Sequence, residues 1–345
     1  MNKRLDLGKE AILPLILKMS WPSIIAMTAM SLYNFIDTFW LARFSSQALA
    51  ALTVCFPIQL LAAAIGVGTG IGAGSFSARM FGAEKNLEAQ KTAGQTFFLS
   101  MLFGFGSILF VLLFGDSMLV FFGASDEILP LSHDYLFLAV YSSPFLFFSM
   151  MTAIMLRVEG RPLLSMNVVL IALISSAILD PFLIFGIGPF PRMGIRGAAL
   201  AGIIAHLIMF ILSLYFLQLK SSKYDFTLKY TRPDLQIIKS IYSTGFPSMV
   251  TNFVISIVLV IYNHVLGNFG FQAIAAFGIC FRVTGLATMV LFGVGAGLMP
   301  IVGYNLGARL FQRLRESVSV ALKVSVVFSA VSVIILELFS SQIIT

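Results

Sequence analysis

The sequence predicts an all-α polytopic membrane protein, a two-lobe helical bundle with a parallel internal repeat. Three observations lead there. Of 345 residues, 59% are hydrophobic and only 11% charged, with a mean hydropathy of +0.97; a soluble domain carries roughly 25% charged residues. Apolar runs of about 20 residues recur along the chain, each long enough to cross a ~30 Å hydrocarbon layer. Finally, residues 21–83 lie on residues 246–308 without a gap when the chain is shifted by 225, with 19 identities in 63 positions.

Nine spans follow in order, near 14–41, 48–79, 94–122, 133–156, 163–186, 197–219, 242–266, 272–303 and 317–339. Span one is expected to be a retained helix, because no small-residue cleavage site closes it. Span two carries the glycine-rich run "GVGTGIGAGS", which predicts that part of it leaves the membrane. Pro22, Pro57, Pro181 and Pro247 fall inside spans and predict kinks, since proline cannot donate to the helical ladder. The longest hydrophilic stretch, "KSSKYDFTLKYTRPDLQIIK", follows span six. It divides the chain into a six-helix lobe (1–220), a linker (221–241) and a partial second lobe of three helices (242–345). Both cysteines, Cys55 and Cys280, sit in apolar spans, so neither a disulfide framework nor a zinc site is expected.

The net charge of +7 is distributed as a membrane protein requires. Eighteen Lys and Arg precede or open span one or follow spans two, four, six and eight; only Arg43, Arg192 and Arg196 lie on the other side, with Arg282 inside span eight. By the positive-inside rule the N-terminus and the linker face the cytoplasm, and the chain is a multi-pass protein of the cytoplasmic (inner) membrane. Basic loops of this kind do not imply nucleic acid.

The repeat brings Pro22–Ser23 onto Pro247–Ser248, "QALAA" onto "QAIAA", Cys55–Phe56 onto Cys280–Phe281, Gly68, Gly70 and Gly72 onto Gly293, Gly295 and Gly297, and "GA" at 82–83 onto "GA" at 307–308. Six spans separate the copies, so both start on the same side, and the axis relating them runs along the membrane normal.

Several stretches together resemble the multidrug and toxic compound extrusion family of secondary transporters. They are "NFIDTFWLARFSSQALAA", "GAEKNLEAQ", "RVEGRP", "ILDPFLIFGIG", "GIRGAALAG" and "PIVGYNLGARLFQRLRE", in that order over nearly the whole chain. The resemblance implies an exporter of two six-helix lobes driven by sodium ions or protons, with an acidic pair in the first lobe at Asp37 and Asp180. By that standard the last three helices are absent. Ser176 stands where the family often has asparagine, and Gly202 where it often has threonine; both departures favour protons over sodium.

The acids point the same way without the resemblance. Only Asp37 and Asp180 have apolar sequence on both sides; the other acids lie in loops or near span ends. A charge at membrane depth costs several kcal/mol, so it normally faces a protein interior or an aqueous cavity and marks an ion path. Asp37 lies ~6 Å and Asp180 ~9 Å below the outer ends of their spans at 1.5 Å per residue, a matching depth. Two nearby carboxyls titrate as a coupled unit. Pro181 frees the Ala177 carbonyl beside Asp180, which suits a cation, a water or a simple kink.

Auxiliary cavity groups are Asn34, one turn from Asp37, as a ligand or a helix contact; Tyr33 and Tyr141, as cavity hydroxyls or interface anchors; Ser176; His206, as a proton relay or a helix–helix hydrogen bond; and Arg282, lining the second lobe or snorkelling to an end. The 16 Met and 34 Phe suit adaptable binding walls and lipid contact alike.

The expected function is cation-coupled export of amphipathic, often cationic, organic compounds by alternating access. A flippase for lipid-linked saccharides is the alternative, and it predicts more basic residues in the cavity spans. A membrane enzyme is the third class; "GAGSFS" offers Ser75, but the nucleophile-elbow context is missing. Expected partners are small organic substrates and membrane lipids, not nucleic acid. No cofactor or structural metal is expected beyond the coupling ion, H+ or Na+, and the chain is expected to act as a monomer.

Overall fold

A computed structural model describes residues 4–219, 222–224, 227–267 and 271–338. Every regular element among them is helical. Helix α1 (Ile12–Phe44) and α2 (Ser46–Gly82) are joined at Ser45, whose side chain accepts from Ala48 N at 2.9 Å and caps α2. Helix α3 (Asn86–Phe121) follows. The fourth span is broken into α4 (Leu129–Ala139), a 3-10 turn at Val140–Ser142, and α5 (Ser143–Val158). Pro144 supplies the reason: it has no N–H for the carbonyl one turn back, so the ladder tightens there. Helix α6 (Pro162–Phe185) runs through Pro181 and stops at Gly186, whose φ of +73° only glycine adopts freely. Helices α7 (Ile195–Gln218), α8 (Leu235–Gly267), α9 (Phe271–Gly307) and α10 (Phe311–Leu338) complete the set.

The nine predicted spans map onto these helices, with α4 and α5 sharing the fourth. Among the described residues, eight helical segments are long and apolar enough to cross a membrane. Two sequence expectations need correction. The linker does not extend to residue 241: α8 starts at Leu235, because the Asp234 carboxylate accepts from Gln236 N (3.1 Å) and Ile237 N (3.3 Å) as an N-cap. The described linker residues are anchored to the first half. Gln95 on α3 donates to the Tyr230 and Arg232 carbonyls at 2.9 and 2.7 Å and accepts from Asp234 N at 3.0 Å, and buried Tyr224 bonds Ser77 on α2 at 2.7 Å. The glycine-rich run of span two does not unwind: it is continuous helix. Its glycines are the points where neighbours come closest, with Gly70 and Gly74 against Ile154, and Gly68 and Gly72 against α8.

The internal repeat is visible as paired packing. The shift of 225 sends α1 onto α8 and α2 onto α9. The structure packs α1 on α9 and α2 on α8, each pairing being the image of the other. The close approaches repeat between the copies. A Cβ on Gly82 would run into the Tyr304 carbonyl, and one on Gly307 into the Arg79 carbonyl; 82 + 225 = 307 and 79 + 225 = 304. Gly68 abuts Met249 while its image Gly293 abuts Ile24, and Gly72 abuts Ile241 while Gly297 abuts Met19 and Ser20. Gly303 lies over Ala78, its own image. Even the turns match: Glu84 and Arg309, 225 apart, carry the two positive φ values of non-glycine residues (62° and 57°) among the described residues.

These contacts lie toward the end that carries the basic residues. The chain before α1 crosses the seam there. Leu5 N bonds the Gly160 carbonyl at 3.1 Å and Arg4 pairs with Glu159 at 2.8 Å on the first half. On the second half, the Leu7 carbonyl accepts from Asn305 at 3.3 Å, and Arg313 donates to the Glu10 carbonyl. Toward the other end α1 and α2 leave Leu32, Phe35, Phe39 and Phe56 exposed.

Candidate ion-coupling site

Helix α1 packs along α6, and each contributes two polar residues four apart, hence on one face. Tyr33 and Asp37 come from α1, Ser176 and Asp180 from α6. The two faces meet in register. Tyr33 Oη lies 3.1 Å from Ser176 Oγ in one layer. In the next layer outward stand Asp37 and Asp180, 9% and 0% exposed, each within the other's electrostatic range. Asp37 Oδ1 and both Asp180 carboxylate oxygens have no hydrogen-bond partner. Buried carboxylate oxygens left unbonded are costly. A group of this kind is stabilised by taking up a proton or by coordinating a cation.

Sequence reasoning missed two further members. Tyr135 on α4, 7% exposed, sits within electrostatic range of both carboxylates. Its hydroxyl accepts a hydrogen bond of 3.0 Å from Gln59 Nε2 on α2. The signals were present: Gln59 is a lone amide in the apolar run "FPIQLLAAA", and Tyr135 lies in "DYLFLAVYSS" beside Tyr141. Choosing between those tyrosines requires the 3-10 break, which resets the helical phase between 135 and 141.

The remaining predicted residues are elsewhere or undescribed. Tyr141 sits at the break itself, 50% exposed, and no hydrogen bond joins it to the pair. His206 on α7 is 2.9 Å from Ser142 Oγ. That hydroxyl donates onward to the Ala139 carbonyl at 2.8 Å, so the imidazole Nδ1–H is the donor and His206 pins the break, as a helix–helix hydrogen bond does. The side chains of Asn34 and Arg282 lie outside the described residues.

Long apolar helices, a parallel two-fold repeat and a buried acid pair in one half are features of a membrane transporter. Residues 22–182 and 247–345 match the MatE family model, and the chain belongs to that family. A FAD transporter of Shewanella oneidensis is 29% identical, over 99% of this chain and 76% of its own length. The multidrug export protein MepA of Staphylococcus haemolyticus is 24% identical, over 95% of this chain and 72% of its own. Among solved structures, a transporter of the MOP superfamily from Pyrococcus furiosus superposes with a TM-score of 0.91 at 26% identity, covering 99% of this chain and 76% of that one. A structure described as the outward-facing conformation of a multidrug resistance MATE family transporter gives the same score, identity and coverage. The protein is therefore a multi-pass membrane transporter of small molecules, of an exporter family.

Proposed function

We propose that the chain couples export of amphipathic organic compounds, cations prominent among them, to inward movement of a monovalent cation through the Asp37–Asp180 pair. The observation that carries this is the set of buried, unbonded carboxylate oxygens on two packed helices of the first half. The contacts of α2 with α8 and α9 lie at the basic end, which the positive-inside rule assigns to the cytoplasm; the protein then sits in the cytoplasmic membrane with its N-terminus inside. Loaded from outside, the pair is neutral and the first lobe closes, releasing substrate outward. Unloaded toward the cytoplasm, the pair recovers negative charge and attracts a cationic substrate. An ion gradient shifts the populations of the two conformations because the ion binds them unequally.

The relative from Shewanella favours a second substrate class, flavin nucleotides, carried by the same cycle. Reconstituted vesicles under an imposed proton gradient, then a sodium gradient, test both: a cationic dye and FAD are offered in turn. Gradient-driven movement of either, lost in Asp37→Asn, is expected. Full gradient-driven movement in Asp37→Asn would remove the pair from the mechanism.

A further inference from the structure

We propose that Arg157, with the hydroxyls of Ser23 and Ser20, forms an anion site that takes a phosphate group of the substrate when the halves part at the cytoplasmic end; this rests on the flavin-nucleotide reading and deepens it. Arg157 lies in the last turn of α5 and is half-buried. Its Nη1 donates to Ser23 Oγ on α1 at 3.4 Å, the limit of a hydrogen bond, and its Nε is shut from solvent with no partner. Among the described residues no carboxylate lies within 4 Å of the guanidinium. Glu159, two residues on, is paired with Arg4 at 2.8 Å. A guanidinium carries five N–H donors in a fixed fork, and a buried cation without an anion is costly.

Ser20 points to an anion independently. It is 2% exposed, and its Oγ has no hydrogen-bond partner. It stands three residues before Ser23, so the two hydroxyls are neighbours on α1. A Cβ on Gly297 of α9 would lie 2.5 Å from Ser20 Oγ, so the second half closes directly over that hydroxyl. The row from Arg157 through Ser23 to Ser20 thus runs from inside the first half to the seam, and it is uncovered when α1 and α9 separate. Helix α5 packs against α2, α3, α6 and α7, so the anion comes from the aqueous seam rather than from a lipid headgroup. The donor set suits a phosphate: the guanidinium fork matches two of its oxygens, and charge-assisted hydrogen bonds are the strong ones. With Gly297 seated on Ser20 there is no room for that group, so a bound anion favours the open conformation.

The test measures inorganic pyrophosphate binding by calorimetry on detergent-solubilised protein, and FMN and riboflavin binding by fluorescence anisotropy. FMN carries the phosphate that riboflavin lacks. Arg157→Gln is expected to weaken pyrophosphate and FMN binding about tenfold or more, the scale of a hydrogen bond to a charged group, and to leave riboflavin unchanged. Ser20→Ala, which keeps the charge, is expected to weaken the same two about fivefold. Gly307→Ala sets a methyl against the Arg79 carbonyl and loosens the seam, so it should tighten pyrophosphate binding, and Arg157→Gln should cancel the gain. Pyrophosphate affinity unchanged in both Arg157→Gln and Ser20→Ala, or no pyrophosphate binding even with Gly307→Ala, would overturn the site. Pyrophosphate binding lost in phosphatidylglycerol nanodiscs but kept in phosphatidylcholine ones would give the donors to a lipid headgroup and overturn the substrate role. Arg157-dependent pyrophosphate binding with no binding of FMN or riboflavin would uphold the anion site and overturn the flavin-nucleotide reading.

Discussion

The two copies of the repeat agree at the seam and part company at the ion site. Gly68, Gly72 and Gly82, through which α2 approaches the second half, have their images Gly293, Gly297 and Gly307 on α9 approaching the first. Yet Asp37 falls on Tyr262, Tyr33 on Val258 and Gln59 on Thr284. Tyr262 is 51% exposed, whereas Asp37 is buried beside Asp180. A two-fold interface uses each surface twice, so a bulky replacement in either copy jams the same joint. An ion site is used once and tolerates loss of its image. Shared origin is thus preserved where geometry is mutual and lost where chemistry is local.

The largest break in the comparison is expected from the acid. Asp37→Asn should lower gradient-driven transport in vesicles a hundredfold or more while leaving expression intact, since the amide is isosteric and cheaper to bury unpaired. Tyr262→Phe at the image position should stay within twofold. A large loss from Tyr262→Phe would mean that the second copy carries coupling chemistry too.

Next come the seam glycines. Gly82→Ala and Gly307→Ala each place a methyl against a backbone carbonyl, which cannot rotate aside. Each should destabilise the closed seam by about 1–3 kcal/mol, the usual range for overpacking. The two effects should be nearly equal, as lower melting temperatures in detergent and as a longer distance between spin labels at Leu87 and Gln312 on the two halves. A clear effect in only one of the two would break the symmetry.

A smaller asymmetry is expected one step along. A Cβ on Gly68 would meet the Met249 side chain and one backbone atom, the Gly245 carbonyl oxygen at 3.2 Å, whereas one on Gly293 would meet the Ile24 side chain and two backbone atoms at 3.0 Å. Gly293→Ala should therefore cost more than Gly68→Ala in melting temperature. Gly295→Ala, with nothing within 4 Å, should be neutral or stabilise by up to about 1 kcal/mol through helix propensity. A costly Gly295→Ala would show the seam extending beyond the contacts described.

The smallest effect should come from His206→Ala. It removes one hydrogen bond to Ser142, worth about 1 kcal/mol. Transport should stay within twofold, measured beside Asp37→Asn. A hundredfold loss would return the imidazole to the ion path.

Span number and order were legible because hydrocarbon thickness imposes a length that composition alone reveals. Asp37 and Asp180 were legible for the same reason, as acids with apolar sequence on both sides. Tyr135 and Gln59 were not singled out, since a neutral polar residue in a span is cheap enough to occur without function. Their relevance depends on which helices meet, and that is tertiary information. The start of α8 was misplaced because hydropathy registers apolar residues, whereas the helix begins at the Asp234 cap in polar sequence. The repeat gave the pairing of copies but not its use, as the meaning of Gly82 and Gly307 appears only when two carbonyls are seen against them.

The segment ahead of α1 has a consequence for biosynthesis. Leu7 meets Asn305, 298 residues later, and Arg313 lies 303 residues beyond its Glu10 contact. Chains are made from the N-terminus, and domains generally fold as they emerge. The Gly160 and Glu159 anchors are available once the first lobe is made, but the Asn305 and Arg313 anchors arrive only with α9 and α10. The segment ahead of α1 is thus made long before the residues that secure it to the second half. A bulky tag fused ahead of Arg4 would sit over the joint at that moment, while the same tag within the exposed outer loops would not.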